Sequence, residues 1–178
     1  MNIRSFRNHT PQVGQDVFID SSAVVIGDTV LGDQVSVWPC VVIRGDINGI
    51  RIGKRTNIQD GSVLHVSGPT NDNPQHGMLI IGEDVTIGHN ATVHACTLGD
   101  RVLIGMGSVV LDGAEIGSDT VIGAGSVVPP RKKLEGGWLY MGSPVKAVRA
   151  LSPEERAALL TSAERYVALA GEFLAENP

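Results

Sequence analysis

Aromatic side chains are nearly missing from this chain: Phe, Trp and Tyr make up 4% of its 178 residues. Cores ordinarily draw much of their buried area from such rings, so an interior without them must be narrow and repetitive. Cysteine is as scarce. Cys40 and Cys96 are the only two, too few for a disulfide framework and in keeping with a reducing, cytoplasmic setting. The net charge is −5 and no Lys/Arg cluster forms a stripe, which argues against nucleic acid or an anionic membrane as partner. No apolar run approaches the roughly 18 residues of a spanning helix, and residues 1–10 lack the apolar stretch of a signal peptide. A soluble single domain spanning 1–178 is what remains.

Glycine abounds instead, with 22 residues, and valine and isoleucine are spread throughout. The aliphatic residues recur at a spacing of six: Leu31, Val37, Ile43; Ile52, Ile58, Leu64; Ile81, Ile87, Val93. The longest run is Leu98, Ile104, Val110, Ile116, Ile122 and Val128. A small residue often lies two places earlier, as at Ser108, Ala114 and Ser126, and glycine often follows. Neither the helical period nor simple alternation explains this. A solenoid does, with three short strands per turn, aliphatic and small side chains inward, and Gly or Asx at corners of positive φ.

Coils are expected over about 13–130, with Pro129-Pro130 as their end. The spacing of nine from Ile43 to Ile52 marks a small insertion at Asp46-Ile47-Asn48, and the five from Val93 to Leu98 a one-residue deletion. Between Leu64 and Ile81 the spacing is seventeen, and about 66–78 reads as an inserted loop. Ser152-Pro153-Glu154-Glu155 carries an N-cap serine and a capping-box glutamate. It opens a C-terminal α-helix at about 152–176 whose apolar stripe suits the outside of the coils.

His65 follows Leu64 and His94 follows Val93, so both occupy one phase of the coil. With the loop bulged out they stack one rung apart, roughly 5 Å, a separation that suits two imidazoles on one metal. His89 lies two residues past Ile87, at the previous corner, and points elsewhere. A three-fold axis would let a neighbouring chain supply it, which predicts a homotrimer with three interfacial sites. Arg44 shares the column of His65 and His94, Asp60 shares that of His89, and Gln59 precedes Asp60. Plainer readings stand beside these: a hydrogen-bonded structural histidine at each position, and an Arg44–Asp60 subunit salt bridge without chemistry. Cys96 takes an inward, small-residue slot, and His9 and His76 read as surface.

Arg44-Gly45-Asp46, Asn57-Ile58-Gln59-Asp60-Gly61, His65 and Gly88-His89 with His94 together resemble the gamma-class carbonic anhydrases. Through Tyr140-Met141-Gly142-Ser143-Pro144 the whole chain is similar to their short bacterial YrdA-like branch. The resemblance implies an all-β solenoid with a C-terminal helix, a left-handed parallel β-helix of hexapeptide repeats; the left hand comes from the resemblance alone, since crossovers are generally right-handed. It further implies reversible hydration of CO₂ to bicarbonate by a metal-bound hydroxide. His65 and His94 would be ligands from one subunit and His89 from its neighbour, for zinc, or for iron or cobalt. Gln59 resembles the residue that orients the hydroxide, Arg44 and Asp60 the interfacial pair, Tyr140 an active-site tyrosine, and Asn57 falls in the same match. Two departures bear on turnover: Ile47 stands where archetypal members have a glutamate, and the loop offers Asp72 in place of a shuttle glutamate. Fast hydration exports a proton each cycle, so weak or absent activity accords with these losses. The alternatives are an acyl-CoA thioesterase or acyltransferase of the same solenoid class, and a non-catalytic metal-binding or assembly protein.

Overall fold

A computed structural model describes residues 2–70 and 76–176, and in it the six-residue period forms a left-handed parallel β-helix of three faces. The first face stacks Phe18–Ile19, Ser36–Val37, Asn57–Ile58, Thr86–Ile87, Leu103–Ile104, Val121–Ile122 and Trp138–Gly142, in chain order. The second carries Val63–His65, Thr92–His94, Val109–Val110 and Val127–Val128; the third carries Leu79–Ile81, Thr97–Leu98, Glu115–Ile116 and Lys133–Leu134. Two long strands, Val24–Leu31 and Val42–Ile52, run round the corner between the second and third faces. Backbone hydrogen bonds run along the axis, as from Gln59 N–H to Ile87 O at 2.9 Å and from Gly88 N–H to Ile104 O at 2.8 Å. Each rung therefore satisfies the next, which is how a solenoid avoids orphaned polar groups.

The interior is the aliphatic repeat itself. Ile43, Leu64, Val93 and Val110 form one column and Ile58, Ile87, Ile104 and Ile122 another, all with 0% exposure. The small residues fit beside them because they also bind backbone: Ser62 Oγ donates to Gly88 O at 2.9 Å and accepts from Ala91 N–H at 3.1 Å.

Corner glycines turn out to serve two purposes, not the single one read from the sequence. Gly61, Gly107 and Gly125 take positive φ at one corner, at 67–71°, while at another it is taken by Gln34, Arg55, Asp84, Arg101 and Asp119, at 52–58°. The glycine after an inward aliphatic residue is required for a different reason. A Cβ at Gly105 would lie 2.4 Å from Ala124 N, because the next rung is pressed against it.

The coils do not stop at Pro129-Pro130. Lys133–Leu134 pairs with Glu115–Ile116, and Leu139-Tyr140 pairs with Val121-Ile122, so the β-helix reaches Gly142 before Val145–Ala150 folds back antiparallel. The prolines are tolerated because Val127–Val128 is the last strand of its face. No further rung needs the N–H that Pro129 lacks.

The insertion at Asp46–Asn48 appears as a register shift opposite Gly27 and Thr29. The loop emerges between His65 and Ile80, which pair with His94 and Thr97 of the rung above. Asp72 lies outside the described residues.

The helix spans Pro153–Glu176, and its capping box is formed. Ser152 Oγ accepts from Glu155 N–H at 3.2 Å, and Glu155 Oε2 accepts from Ser152 N–H at 2.9 Å. Its apolar side lies along the first face. There Trp38 meets Phe18, Tyr166 and Phe173 with ring centroids 5.1, 5.6 and 5.3 Å apart. Four of the seven aromatics are thus gathered between coil and helix, outside the narrow prism.

Candidate metal centre

The repeat sorts the polar candidates onto two edges of the second face. At one edge, Arg44, His65 and His94 sit side by side on successive rungs. Leu64 and Val93 pack inward directly before the two histidines, so the imidazoles are turned outward, with ring centroids 5.1 Å apart. The expected stacking is present. His65 Nδ1 faces His94 Nε2 at 3.1 Å.

Carboxylates hold the far nitrogen of each ring. His65 Nε2 lies 2.9 Å from Asp46 Oδ1, and His94 Nδ1 lies 3.0 Å from Asp112 Oδ2. A carboxylate accepts hydrogen bonds, so each neutral ring carries its proton on the carboxylate side. Both facing nitrogens then present lone pairs to one another. Such a pair repels unless a proton or a metal ion lies between them, and two lone pairs converging in this way are a donor set that fits a metal ion. Burial raises the Asp46 carboxyl, but hydrogen bonds from His65 and Arg44 outweigh it and leave Asp46 below the ordinary carboxylate range. Asp112 is likewise raised by burial and then brought below its usual value by Ser67 and His94.

The other edge lies at the corner before the same strands. His89 Nδ1 is 2.9 Å from Asp60 Oδ2, leaving Nε2 turned away from that carboxylate. Gln59 is buried beside them, and its amide donates to Asn57 Oδ1 at 3.1 Å; Asn57 in turn donates to Thr86 Oγ at 2.9 Å. After His89 the chain turns at Asn90 (φ 55°) and then runs along Thr92–His94, so the two histidines stand at opposite ends of one short strand. The two edges of one chain do not meet on one ion. Among the described residues, no group of three or more His, Cys, Asp or Glu side chains within a single chain is arranged to hold a metal ion.

Arg44 pairs with Asp46 and Asp60 with His89, so within one chain Arg44 and Asp60 stand on opposite edges, in the two columns expected of them. Tyr140 is not brought to either edge. It is 7% exposed, its hydroxyl donates to Glu135 O at 3.0 Å, and it fills the last coil in register with Ile122. Tyr166 takes a place there that the sequence did not suggest. It reaches from the helix into a groove of about 480 Å³ shared with Gln59, His89, Ser162 and Met106. Burial and then the Asp60 charge raise its phenol above the ordinary range. Helical spacing marked Tyr166 as packing, and nothing local to it signals the corner it faces. Asp112 was also missed, although its position one eighteen-residue turn after His94 is a usable signal. Cys96 is buried as expected, and burial pushes its thiol up.

Fold and edges together define a hexapeptide-repeat β-helix protein with a histidine pair on one edge and a single histidine on the other. The family model for bacterial transferase hexapeptide (six repeats) matches residues 10–45 and 95–130. Protein YrdA of Escherichia coli is 56% identical over 97% of this chain and 94% of its own length. Gamma carbonic anhydrase 2, mitochondrial, of Arabidopsis thaliana is 39% identical over 94% of this chain, which spans 60% of that longer relative. A crystal structure of a hexapeptide transferase family protein from Anaplasma phagocytophilum is 37% identical, with a TM-score of 0.88 over 97% of this chain and 98% of that one. The chain belongs to the gamma carbonic anhydrase-like family of hexapeptide-repeat proteins, in its YrdA branch.

Proposed function

We propose that this protein is a metal-dependent carbonic anhydrase-like enzyme that hydrates CO₂ reversibly at sites between the subunits of a homotrimer. The observation that carries the reading is the His65–His94 pair, whose carboxylate-backed rings turn two lone pairs toward one point. His65 and His94 of one subunit would hold the ion, with His89 supplied across the interface. Zinc suits three imidazoles, and iron or cobalt is compatible with the same donors. A cation held this way with an open position would supply a water acidified to a pKa of about 7.

The chain's own residues do the rest. Asn57 fixes the Gln59 side chain by accepting from its amide N–H, which leaves the Gln59 carbonyl to orient a reacting water. Asp60 holds His89 in one tautomer, as Asp46 and Asp112 do for the pair. Ile47, 44% exposed, supplies no carboxylate beside Asp46, so proton export is the expected weak step. The test is CO₂ hydration by protein loaded with zinc or with iron, against His89→Ala treated alike. Activity that requires metal and disappears with His89 supports the reading. Loaded trimer without activity rejects the enzyme and leaves a metal-binding or assembly role.

A second reading, acyl-CoA chemistry, is favoured by one feature: the mostly apolar groove that ends at His89 and runs over Leu103, Met106 and Val121. A relative of similar fold is named as a transferase family protein. That chemistry uses no metal, so hydrolysis or transfer of an acyl thioester by metal-free protein would select it.

A further inference from the structure

The carboxylates behind the two stacked histidines come from different kinds of place. Asp46 belongs to the small insertion and is anchored by Arg44. Asp112 sits at a corner of the next rung, and its second oxygen is bound by Ser67. Ser67 is the root of the inserted loop. Its N–H donates to Gly77 O at 2.9 Å, and its carbonyl accepts from Asn48 Nδ2 at 3.0 Å. The same Asn48 amide donates to His76 O at 2.7 Å. One side chain of the small insertion thus ties down both roots of the loop. One hydroxyl of the loop in turn fixes the carboxylate that orients His94.

Resting on the metal reading above, we propose that Asp112 is a positioning residue for His94, and that Ser67 makes the root of the loop part of the metal centre. Without the carboxylate, the His94 proton has no fixed side, and its Nε2 lone pair is no longer held toward His65. Orienting partners of this kind change metal affinity by about 10- to 100-fold when removed. Ser67 acts one bond further out and has the smaller effect.

The experiment is zinc affinity by chelator competition for wild type, Asp112→Asn, Asp112→Glu and Ser67→Ala. It is joined to the visible spectrum of each cobalt-loaded protein and to the melting temperature of each metal-free one. The expected result is affinity reduced by about 10- to 100-fold in Asp112→Asn, a smaller loss in Ser67→Ala and partial recovery in Asp112→Glu. The cobalt spectrum should be altered in Asp112→Asn while the metal-free protein stays folded, its melting lowered only slightly by the lost carboxylate contacts. Wild-type affinity and spectrum in Asp112→Asn overturn the proposal, as does an effect on melting alone. Should Asp112→Asn fail to fold, Ser67→Ala decides: unaltered affinity and spectrum overturn the proposal. Wild-type protein that takes up no metal overturns the underlying reading instead, so the two failures are distinguishable.

Discussion

The two edges of the second face are made by the same repeat and differ in what surrounds them. At the His65–His94 edge the coil is interrupted twice, and the insertions supply Asp46, Asn48 and Ser67 around the outward imidazoles. At the His89 edge the coil is uninterrupted. Its polar groups, Asn57 and Gln59, are buried and locked to one another, and the helix closes over them with Tyr166 and Ser162. One edge is built by departures from the repeat, the other by the repeat and the helix. On the proposed reading the first holds two ligands, the second supplies the third and the orienting amide, and neither is complete alone.

Removing a ligand from either edge tests that division most strongly. His94→Ala should lose essentially all zinc, a fall in affinity of at least ~100-fold, since one imidazole cannot hold the ion. His89→Ala should lose it too while retaining the His65–His94 pair; elemental analysis of dialysed protein reads both. Gln59→Ala should separate the edges. Metal content should stay as in wild type while kcat for hydration falls by about 10- to 100-fold, the scale of a lost orienting contact. Stopped-flow hydration with metal content measured in parallel checks this.

The two edges were unequally legible. His65 and His94 could be paired because coil phase depends only on counting, and the inserted loop could be subtracted from their spacing. The solenoid was legible for the same reason, apart from its last turn, where prolines that stop an inner strand are harmless on a terminal one. The His89 edge was read in part. Asn57, Gln59 and Asp60 lie in one stretch of sequence, but Tyr166 arrives from a helix 77 residues away whose docking no local pattern encodes. Tyr140 was placed at the site by resemblance alone, which carries no coil phase. Its inward phase, in register with Ile122, assigns it to the core.

Smaller effects sharpen the role of the helix. Trp38→Ala removes the ring that Tyr166 and Phe173 pack against. It should cost about 3–5 kcal/mol and lower turnover at the His89 edge, leaving the histidine pair's carboxylates in place; denaturant unfolding with hydration assays measures both. The smallest effect is at the cap. Hydrogen bonds from Arg149 and from Ser152 N–H lower Glu155 from 4.5 to about 2. A depressed carboxylate stabilises the fold above its unfolded pKa and loses that contribution as the pH falls through the folded value. The melting difference between wild type and Glu155→Gln should therefore be constant above about 4.5, shrink as pH falls towards about 2 and vanish below it.

The two edges are proposed to meet only between subunits, and co-expression of His89→Ala with His94→Ala tests this most directly. Each variant alone should bind no zinc. Random mixed trimers should regain the sites where an intact pair faces an intact His89, about a quarter of the wild-type metal for three-fold interfaces. No recovery in mixed trimers, or full zinc retained by His89→Ala alone, would contradict the account.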